Sequence, residues 1–311
     1  MSAFSVIVLL FIVLVIASWY LAAGFWSKIL TFLSRWQAGL KSSEINIDGI
    51  HWHYLHGGKG PILILIHGFG ADNNCWLPLA KKLGPRFSLL IPDLPGFGSS
   101  EPPNELKFDI TSQTQRVMAF LDALGIETCL VAGNSMGGYV AASLAATVPD
   151  RVRAVWLIAP LGIGSVSPGK ALEAIDAGTA VAGQVTSVKQ FRQEIIEPLF
   201  SKNVWLPYPF LRDQALQAIK RKDEMPRMLN QIRFESETLE EIEERITQPV
   251  LVQWGAGDLI LNPAGLEVSA RLLPDCETHM TENCGHMPMF ECPRLSAKIF
   301  FDWIDRKHLA D

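Results

Sequence analysis

The stretch Val131-Ala132-Gly133-Asn134-Ser135-Met136-Gly137-Gly138 places a serine between two glycines, one lying two positions before it and the other two positions after it. Apolar residues typical of a strand precede the serine at 129–132, and small residues compatible with a helix follow it at 139–146. A strand, a sharp turn and a helix are the context of a nucleophile elbow, which presents a serine hydroxyl at the positive end of a helix. The same glycine spacing also occurs by chance in glycine-rich loops. The interpretation of Ser135 as a nucleophile therefore depends on the rest of the chain.

Short apolar runs alternate with helical patterns on both sides of Ser135. Unbroken apolar runs are typical of strands that are buried on both faces of a parallel sheet. Strands that alternate with helices predict an α/β fold, with a mostly parallel sheet flanked by helices. A turn at Asp48-Gly49, between two alternating segments, predicts a hairpin at the start of this fold. The predicted strands are 62–66, 87–91, 128–132, 154–159, 250–254 and 277–280, and the predicted helices are 110–124, 139–146 and 264–273.

The alternation is interrupted between 160 and 248, where the sequence contains helical patterns but no convincing buried strand. We interpret this interval as a helical cap over the carboxyl edge of the sheet, where open α/β sheets bind their ligands. The alternative is a separate helical domain on linkers. The strand pattern resumes at Val250 as though one sheet had been interrupted, which favours the cap.

The first 27 residues contain no Asp, Glu, Lys or Arg, and 6–16 is a solid block of aliphatic residues and phenylalanine. About 20 apolar residues are enough to cross a bilayer core, so this segment predicts a single membrane-spanning helix that contacts the bilayer through 5–26. The competing interpretation is a cleaved signal peptide, with small residues at 22–24. The length of the apolar block and the lack of Lys and Arg before it favour an uncleaved anchor. The predicted division of the chain is an anchor at 1–27, a juxtamembrane helix or linker at 28–41, a core at 42–159 and 249–311, and a cap at 160–248.

The distribution of charge limits the location and the partners of the chain. Lys28, Arg35 and Lys41 follow the apolar segment, and no basic side chain precedes it. The positive-inside rule therefore predicts that the body lies on the cytoplasmic side of the membrane. The net charge of −5 and the lack of a basic stripe argue against nucleic acid as a partner. The sequence leaves the oligomeric state open.

A serine hydroxyl needs a base, and the base needs a group that holds its tautomer. Asp258 follows the predicted strand 250–254, and His286 lies in the loop after the predicted strand 277–280. Each residue has a structural alternative, since aspartate often caps loops and a lone histidine is often a satisfied polar residue. The order Ser, Asp, His and the positions after strands instead predict that Ser135, Asp258 and His286 converge at one edge of the sheet.

An acyl-transfer enzyme also needs N–H donors for the oxyanion that develops during the reaction. The backbone N–H of Met136, directly after the serine, is one predicted donor. The second is the backbone N–H of Phe69, in the turn His67-Gly68-Phe69-Gly70 after the first predicted buried strand. We interpret His67 as a structural residue that braces this turn rather than as a base.

Five segments of the chain, taken in their order along it, resemble the α/β-hydrolase superfamily. The resemblance extends from about residue 49 to about residue 303. Within the superfamily, the chain is similar to bacterial lipases and esterases and to membrane-bound hydrolases of the monoacylglycerol lipase type. The resemblance implies a nucleophile at Ser135, an acid at Asp258, a base at His286 and a structural loop around Asp93, with no metal and no cofactor. The segments are 67–70 with Trp76 downstream, 92–100, 133–138, 254–258 and 284–288.

The leading functional prediction is a serine hydrolase that cleaves carboxylic esters of the lipid or acylglycerol type through an acyl-enzyme intermediate. The first alternative is a carbon–carbon bond hydrolase of ring-cleavage products, whose elbow resembles 133–138. Such enzymes commonly carry tryptophan after the catalytic histidine, where this chain has Met287. The second alternative is a catalytically silent, membrane-tethered binding protein, although the triad is complete. Five residues are predicted to line an acyl pocket or, equally, to belong to the core: Phe200, Trp205, Met287, Met289 and Phe290.

Overall fold

The structure is a computed structural model that describes residues 2–100, 106–180, 182–202 and 204–309. In this part of the chain one eight-stranded sheet has the spatial order β1-β2-β4-β3-β5-β6-β7-β8. Strand β2 pairs antiparallel with β1 and β4, and every other neighbouring pair is parallel. The prediction of a mostly parallel sheet is confirmed. The strands are β1 (Leu40–Ile47), β2 (Ile50–Gly58), β3 (Ile62–Ile66), β4 (Ser88–Pro92), β5 (Cys129–Asn134), β6 (Val152–Ile158), β7 (Val250–Gly255) and β8 (Cys276–Thr281).

Helices cover both faces of the sheet and fill the interval between β6 and β7. This interval also contains a π-helical turn over Arg192–Ile196. The helices are α1 (Ala3–Leu21), α2 (Ala23–Gln37), α3 (Leu77–Leu83), α4 (Ile110–Ala123), α5 (Met136–Thr147), α6 (Lys170–Asp176), α7 (Val188–Phe191), α8 (Glu197–Leu199), α9 (Tyr208–Arg221), α10 (Met225–Phe234), α11 (Leu239–Ile242), α12 (Gly265–Leu272), α13 (Pro288–Glu291) and α14 (Pro293–Arg306).

The unbroken apolar strands separate two hydrophobic cores, one on each face of the sheet. Successive side chains of a strand point to opposite faces, so Ile64 and Ile66 of β3 enter one core while Leu63 and Leu65 enter the other. The first core contains residues of α4, α5 and α12, and the second contains residues of α3 and α14. This burial on both faces explains why the strands lack the alternating polar residues of a half-exposed sheet.

The predicted apolar helix near the N-terminus is present as α1. Its span Phe4–Leu21 has a mean hydropathy of 2.7 and is entirely unburied, so it is long and apolar enough to cross a membrane. Helix α2 follows directly and packs on α9, where the Ser27 hydroxyl donates a hydrogen bond to Asp213 Oδ2 at 3.2 Å. The rings of Tyr20 and Tyr208 also meet, with centroids 4.9 Å apart. The C-terminal end of the apolar helix α1 therefore contacts the helical insertion.

The helical insertion, from α6 to α11, lies between two neighbouring strands of the same sheet. Strands β6 and β7 pair directly, with Val155 opposite Val250, so the sheet continues across the interruption. The insertion returns to the carboxyl edge of the sheet, where the Leu199 carbonyl accepts a hydrogen bond of 2.8 Å from the backbone N–H of His286. It therefore contacts the same edge at which the sequence places the predicted reactive residues.

Candidate active site

Ser135 occupies the turn between β5 and α5 in a strained backbone conformation. Its φ of 57° and ψ of −120° lie outside the regions that residues with a Cβ atom normally adopt. The surrounding backbone holds this conformation: the Ser135 N–H donates to the Ile158 carbonyl at 3.0 Å. The Ser135 carbonyl accepts from the N–H groups of Tyr139 and Leu161, both at 3.1 Å. The structure thus has the strand, turn and helix that the sequence predicts around this serine.

Two glycines of the elbow are required by the close crossing of strand and helix. A Cβ atom on Gly133 would lie 2.0 Å from the Gly137 carbonyl oxygen. A Cβ atom on Gly137 would lie 2.2 Å from the Ile66 carbonyl oxygen of β3. Both distances are far below van der Waals contact, so no other residue fits at either position without a shift of the backbone.

His286 and Asp258 form a buried hydrogen-bonded pair. His286 Nδ1 lies 2.7 Å from Asp258 Oδ2, and the two residues are 3 % and 6 % exposed. The Asp258 carboxylate also accepts from the Trp254 indole N–H at 3.0 Å and from the backbone N–H groups of Ile260 and Leu261 at 2.8 and 3.0 Å. These donors stabilise the ionised carboxylate, which then accepts the Nδ1 proton and leaves Nε2 of His286 as an acceptor.

Asn134 connects the elbow to the loop that carries His286. Its side-chain amide donates to the His286 carbonyl at 3.0 Å and to the Ile158 carbonyl at 3.1 Å, and the residue is 2 % exposed. Sequence reasoning assigned no role to Asn134, although its position next to the serine in a buried strand was a signal. A polar side chain at such a position needs hydrogen-bond partners, and here one partner is the histidine loop.

The turn 67–70 packs against the elbow, as the oxyanion prediction requires. A Cβ atom on Gly68 would lie 3.2 Å from the Cβ of Ser135. His67 braces this turn, because its Nδ1 donates to the Gly68 carbonyl at 2.8 Å and its Nε2 accepts from the Leu94 N–H at 3.0 Å. Both ring nitrogens of His67 therefore have backbone partners. Met136 begins α5, so its N–H is one of the first amides at the N-terminal end of the helix.

The five candidate pocket residues lie in different environments. Phe200, Met287 and Met289 are buried in the core that also contains α14, and the Phe290 ring packs against Phe200 with centroids 5.6 Å apart. Trp205 is 78 % exposed and belongs to the surface of the insertion. The structure therefore groups four of the five near His286 as packing residues and places Trp205 apart from them.

The three histidines of β2 do not share one site. His51 Nε2 lies 3.2 Å from Glu44, His53 Nδ1 lies 2.8 Å from Asp93, and His56 Nε2 lies 2.9 Å from the Ser43 hydroxyl. Asp93 also accepts from the Ser99 N–H at 2.9 Å, so it holds the loop after β4. Across 2–100, 106–180, 182–202 and 204–309, no group of three His, Cys, Asp or Glu side chains has an arrangement that would hold a metal ion.

Known proteins resemble this chain in sequence and in fold. A family model described as the alpha/beta hydrolase fold matches residues 61–293. Lipase 1 of Psychrobacter immobilis is 32 % identical over 238 residues, which are 75 % of this chain and 73 % of that protein. The human monoacylglycerol lipase ABHD6 is 25 % identical over 263 residues, 82 % of this chain and 78 % of that protein. The crystal structure of a membrane phospholipase A, described as a bacterial virulence factor, superimposes with a TM-score of 0.87 at 31 % identity and covers 98 % of each chain.

Proposed function

The chain belongs to the α/β-hydrolase family and is a carboxylic ester hydrolase, and we propose that it cleaves lipid esters with a triad of Ser135, His286 and Asp258. The observation that carries the triad is the buried His286–Asp258 pair, which Asn134 ties to the strained elbow of Ser135. The elbow follows β5, and the pair follows β7 and β8, so all three residues come after the carboxyl ends of parallel strands of one sheet, where α/β folds bind their ligands.

The reaction begins when His286 Nε2 removes the Ser135 proton as the serine oxygen attacks the ester carbonyl carbon. The carbonyl oxygen becomes an oxyanion, for which we propose the backbone N–H groups of Met136 and Phe69 as donors. The tetrahedral intermediate collapses, the bond to the alcohol oxygen breaks, and protonated His286 gives its proton to the leaving alcohol. Water then attacks the acyl-enzyme by the same route and releases the acid and free Ser135. Asp258 holds the required tautomer of His286 throughout and stabilises its positive charge.

The lipid part of the proposal is supported by the N-terminal helices. Helix α1 has the length and hydropathy of a membrane span, and α2 connects it directly to α9 of the insertion. This attachment would hold the insertion and the carboxyl edge of the sheet near a bilayer. The names of the lipase, monoacylglycerol lipase and phospholipase relatives point to the same class of substrate. The basic residues after α1 support a body on the cytoplasmic side.

The first experiment compares the wild-type protein with Ser135→Ala in detergent, using p-nitrophenyl esters of increasing chain length. We expect the variant to lose turnover and the wild-type protein to prefer long acyl chains. Ser143→Ala, which removes a hydroxyl from α5 two turns after the elbow, is the matched control and should retain activity. Unchanged turnover in Ser135→Ala would refute the triad.

Two further measurements address the alternatives. A dienoate ring-cleavage product, followed by its absorbance, tests for carbon–carbon bond hydrolysis, and turnover of the dienoate without turnover of esters would replace the ester assignment. A fluorophosphonate probe, which reacts with activated serines, tests for a silent binding protein. We expect this probe to label Ser135 in the folded wild-type protein, and failure to label it would favour a silent protein.

A further inference from the structure

A second hydrogen-bonded chain of serine, histidine and aspartate lies away from Ser135. The Ser42 hydroxyl of β1 is 2.6 Å from Nε2 of His53 on β2, and His53 Nδ1 is 2.8 Å from Oδ2 of Asp93 after β4. In the pairing of β1 with β2, Glu44 lies directly opposite His53. Ser42 comes two residues before Glu44, so its side chain points to the same face of the sheet and lies diagonally next to His53. The order serine, histidine, aspartate and the lengths of the two hydrogen bonds are those expected of an activated serine.

The donors around Asp93 determine the direction of these hydrogen bonds. Asp93 accepts from the backbone N–H groups of Asn73 at 2.7 Å and Ser99 at 2.9 Å, and it is 1 % exposed. An ionised carboxylate with such donors accepts the Nδ1 proton of His53. The Asn73 amide nitrogen also lies 3.0 Å from Nδ1, but an amide N–H cannot accept that proton. Nε2 of His53 is then left as an acceptor, and the Ser42 hydroxyl is its partner.

His53 is protected from water, whereas Ser42 is exposed. His53 is 5 % exposed, so its link to Asp93 is not exchanged for bulk solvent. Ser42 lines a cavity of about 610 Å³ between α2, the start of β1, the loops at 72–74 and 98–99, and α9. A reactive group from outside can therefore reach the serine oxygen while the base and its carboxylate stay buried. Ser135 and His286 do not line this cavity.

The charged groups that line this cavity are suited to a developing oxyanion. Lys28, Arg35 and Lys41 supply positive charge, and Arg35 Nε donates a hydrogen bond of 2.9 Å to Asn74 Oδ1 in the same lining. Two acidic residues, Asp72 and Asp213, also line the cavity, so its lining carries three cationic and two acidic side chains. Cationic side chains near the attacked carbonyl stabilise the negative charge that forms there.

We propose that Ser42 is a second nucleophilic serine, activated by His53 and Asp93, that accepts the acyl group of a carboxylic ester in this cavity. The Ser42 oxygen attacks the carbonyl carbon while its proton moves to His53 Nε2. The bond from that carbon to the alcohol oxygen then breaks, and the alcohol leaves with the proton from His53. The products are an ester of Ser42 and the free alcohol. The site works on the same class of ester as Ser135 but needs none of its residues.

The test uses full-length Ser135→Ala protein in detergent, so that the first serine cannot react. The protein is treated with a fluorophosphonate and, separately, with p-nitrophenyl acetate, digested with trypsin and mapped by tandem mass spectrometry. Both reagents should modify Ser42 on the fragment 42–59. Ser43 of the same fragment is an internal control, because its hydroxyl bonds to His56 and, in the part of the chain that the structure describes, no carboxylate pairs with that histidine. An unmodified Ser42, or equal modification of Ser42 and Ser43, overturns the proposal.

Substitutions in the Ser135→Ala background test the role of the base. His53→Gln should slow the labelling of Ser42 about 100-fold or more, since general-base catalysis typically contributes that much. Ser43→Ala should leave the labelling rate of Ser42 unchanged. Ser42→Ala removes the label without touching a buried group, and therefore decides the site of reaction even if His53→Gln does not fold. Folded His53→Gln that labels at the original rate would refute activation by His53. Labelling of Ser42 in a protein whose Ser135 proves unreactive would refute the proposed function and leave this inference intact.

Discussion

The strained backbone of Ser135 predicts that this residue reduces the stability of the fold. With φ 57° and ψ −120°, a residue that has a Cβ atom costs about 1–3 kcal/mol, which the bonds to Ile158, Tyr139 and Leu161 must offset. Ser135→Ala and Ser135→Gly both remove the hydroxyl, but only glycine also removes the Cβ atom. Glycine loses about 0.5–1 kcal/mol through the greater freedom of the unfolded chain. Ser135→Gly should therefore be more stable than Ser135→Ala by about 0.5–2 kcal/mol.

Thermal unfolding in detergent measures this difference. At roughly 2 °C per kcal/mol for a chain of this size, the Tm of Ser135→Gly should exceed that of Ser135→Ala by about 1–4 °C. Both variants should be inactive towards p-nitrophenyl esters. The matched control is Ser143 in the interior of α5, where the backbone is helical and glycine should be less stable than alanine by about 1 kcal/mol. A Tm for Ser135→Gly at or below that of Ser135→Ala would refute the assignment of strain to this residue.

Three other substitutions test the site and the fold. Asp258→Asn should lower kcat for p-nitrophenyl esters about 10³–10⁴-fold, because an amide no longer holds the reactive tautomer of His286; a loss below 10-fold would contradict the triad. Asn134→Ala should lower the stability by about 1–3 kcal/mol and kcat about 10–100-fold, because it removes the hydrogen bond to the His286 carbonyl. Thermal unfolding measures the first effect and steady-state kinetics the second. An unchanged kcat would show that this hydrogen bond does not position the histidine. Gly137→Ala should destabilise the protein by about 3 kcal/mol or more, because its Cβ would lie 2.2 Å from the Ile66 carbonyl oxygen. Gly24→Ala, in helix α2 with nothing within 4 Å of the new Cβ, should unfold at or slightly above the wild-type temperature.

The sequence predicted the sheet well because each strand carries its own signal. Strand β3 occupies the predicted 62–66, and β7 extends the predicted 250–254 by one residue. Helix α5 starts earlier than the small-residue pattern at 139–146 suggested, because Gly137 and Gly138 are themselves helical. The first strand begins at Leu40, inside the segment expected to be a linker, since its pairing with β2 extends to Gly57.

Contacts between distant residues could not be predicted from the sequence. Asn134 and the His286 carbonyl are 152 positions apart, and no local pattern indicates that they meet. The pairing of Ser42 with His53 depends on the register of β1 and β2. A slip of one residue in this register would move every side chain of the strand to the other face of the sheet. The contact between α2 and α9 likewise joins segments that are far apart in the chain, and no local sequence pattern in either helix predicts it.

The elbow 131–138, the apolar strands and the apolar N-terminal helix were determined by the sequence alone, because local sterics and hydrophobic periodicity specify them within a few residues. The tertiary structure decided which polar groups share a site: Asp258 with His286, Asn134 with the histidine loop, and Ser42 with His53 and Asp93. The reason is physical. A buried polar group must find a hydrogen-bond partner, but the partner is whichever group the packing of the whole chain brings within about 3 Å.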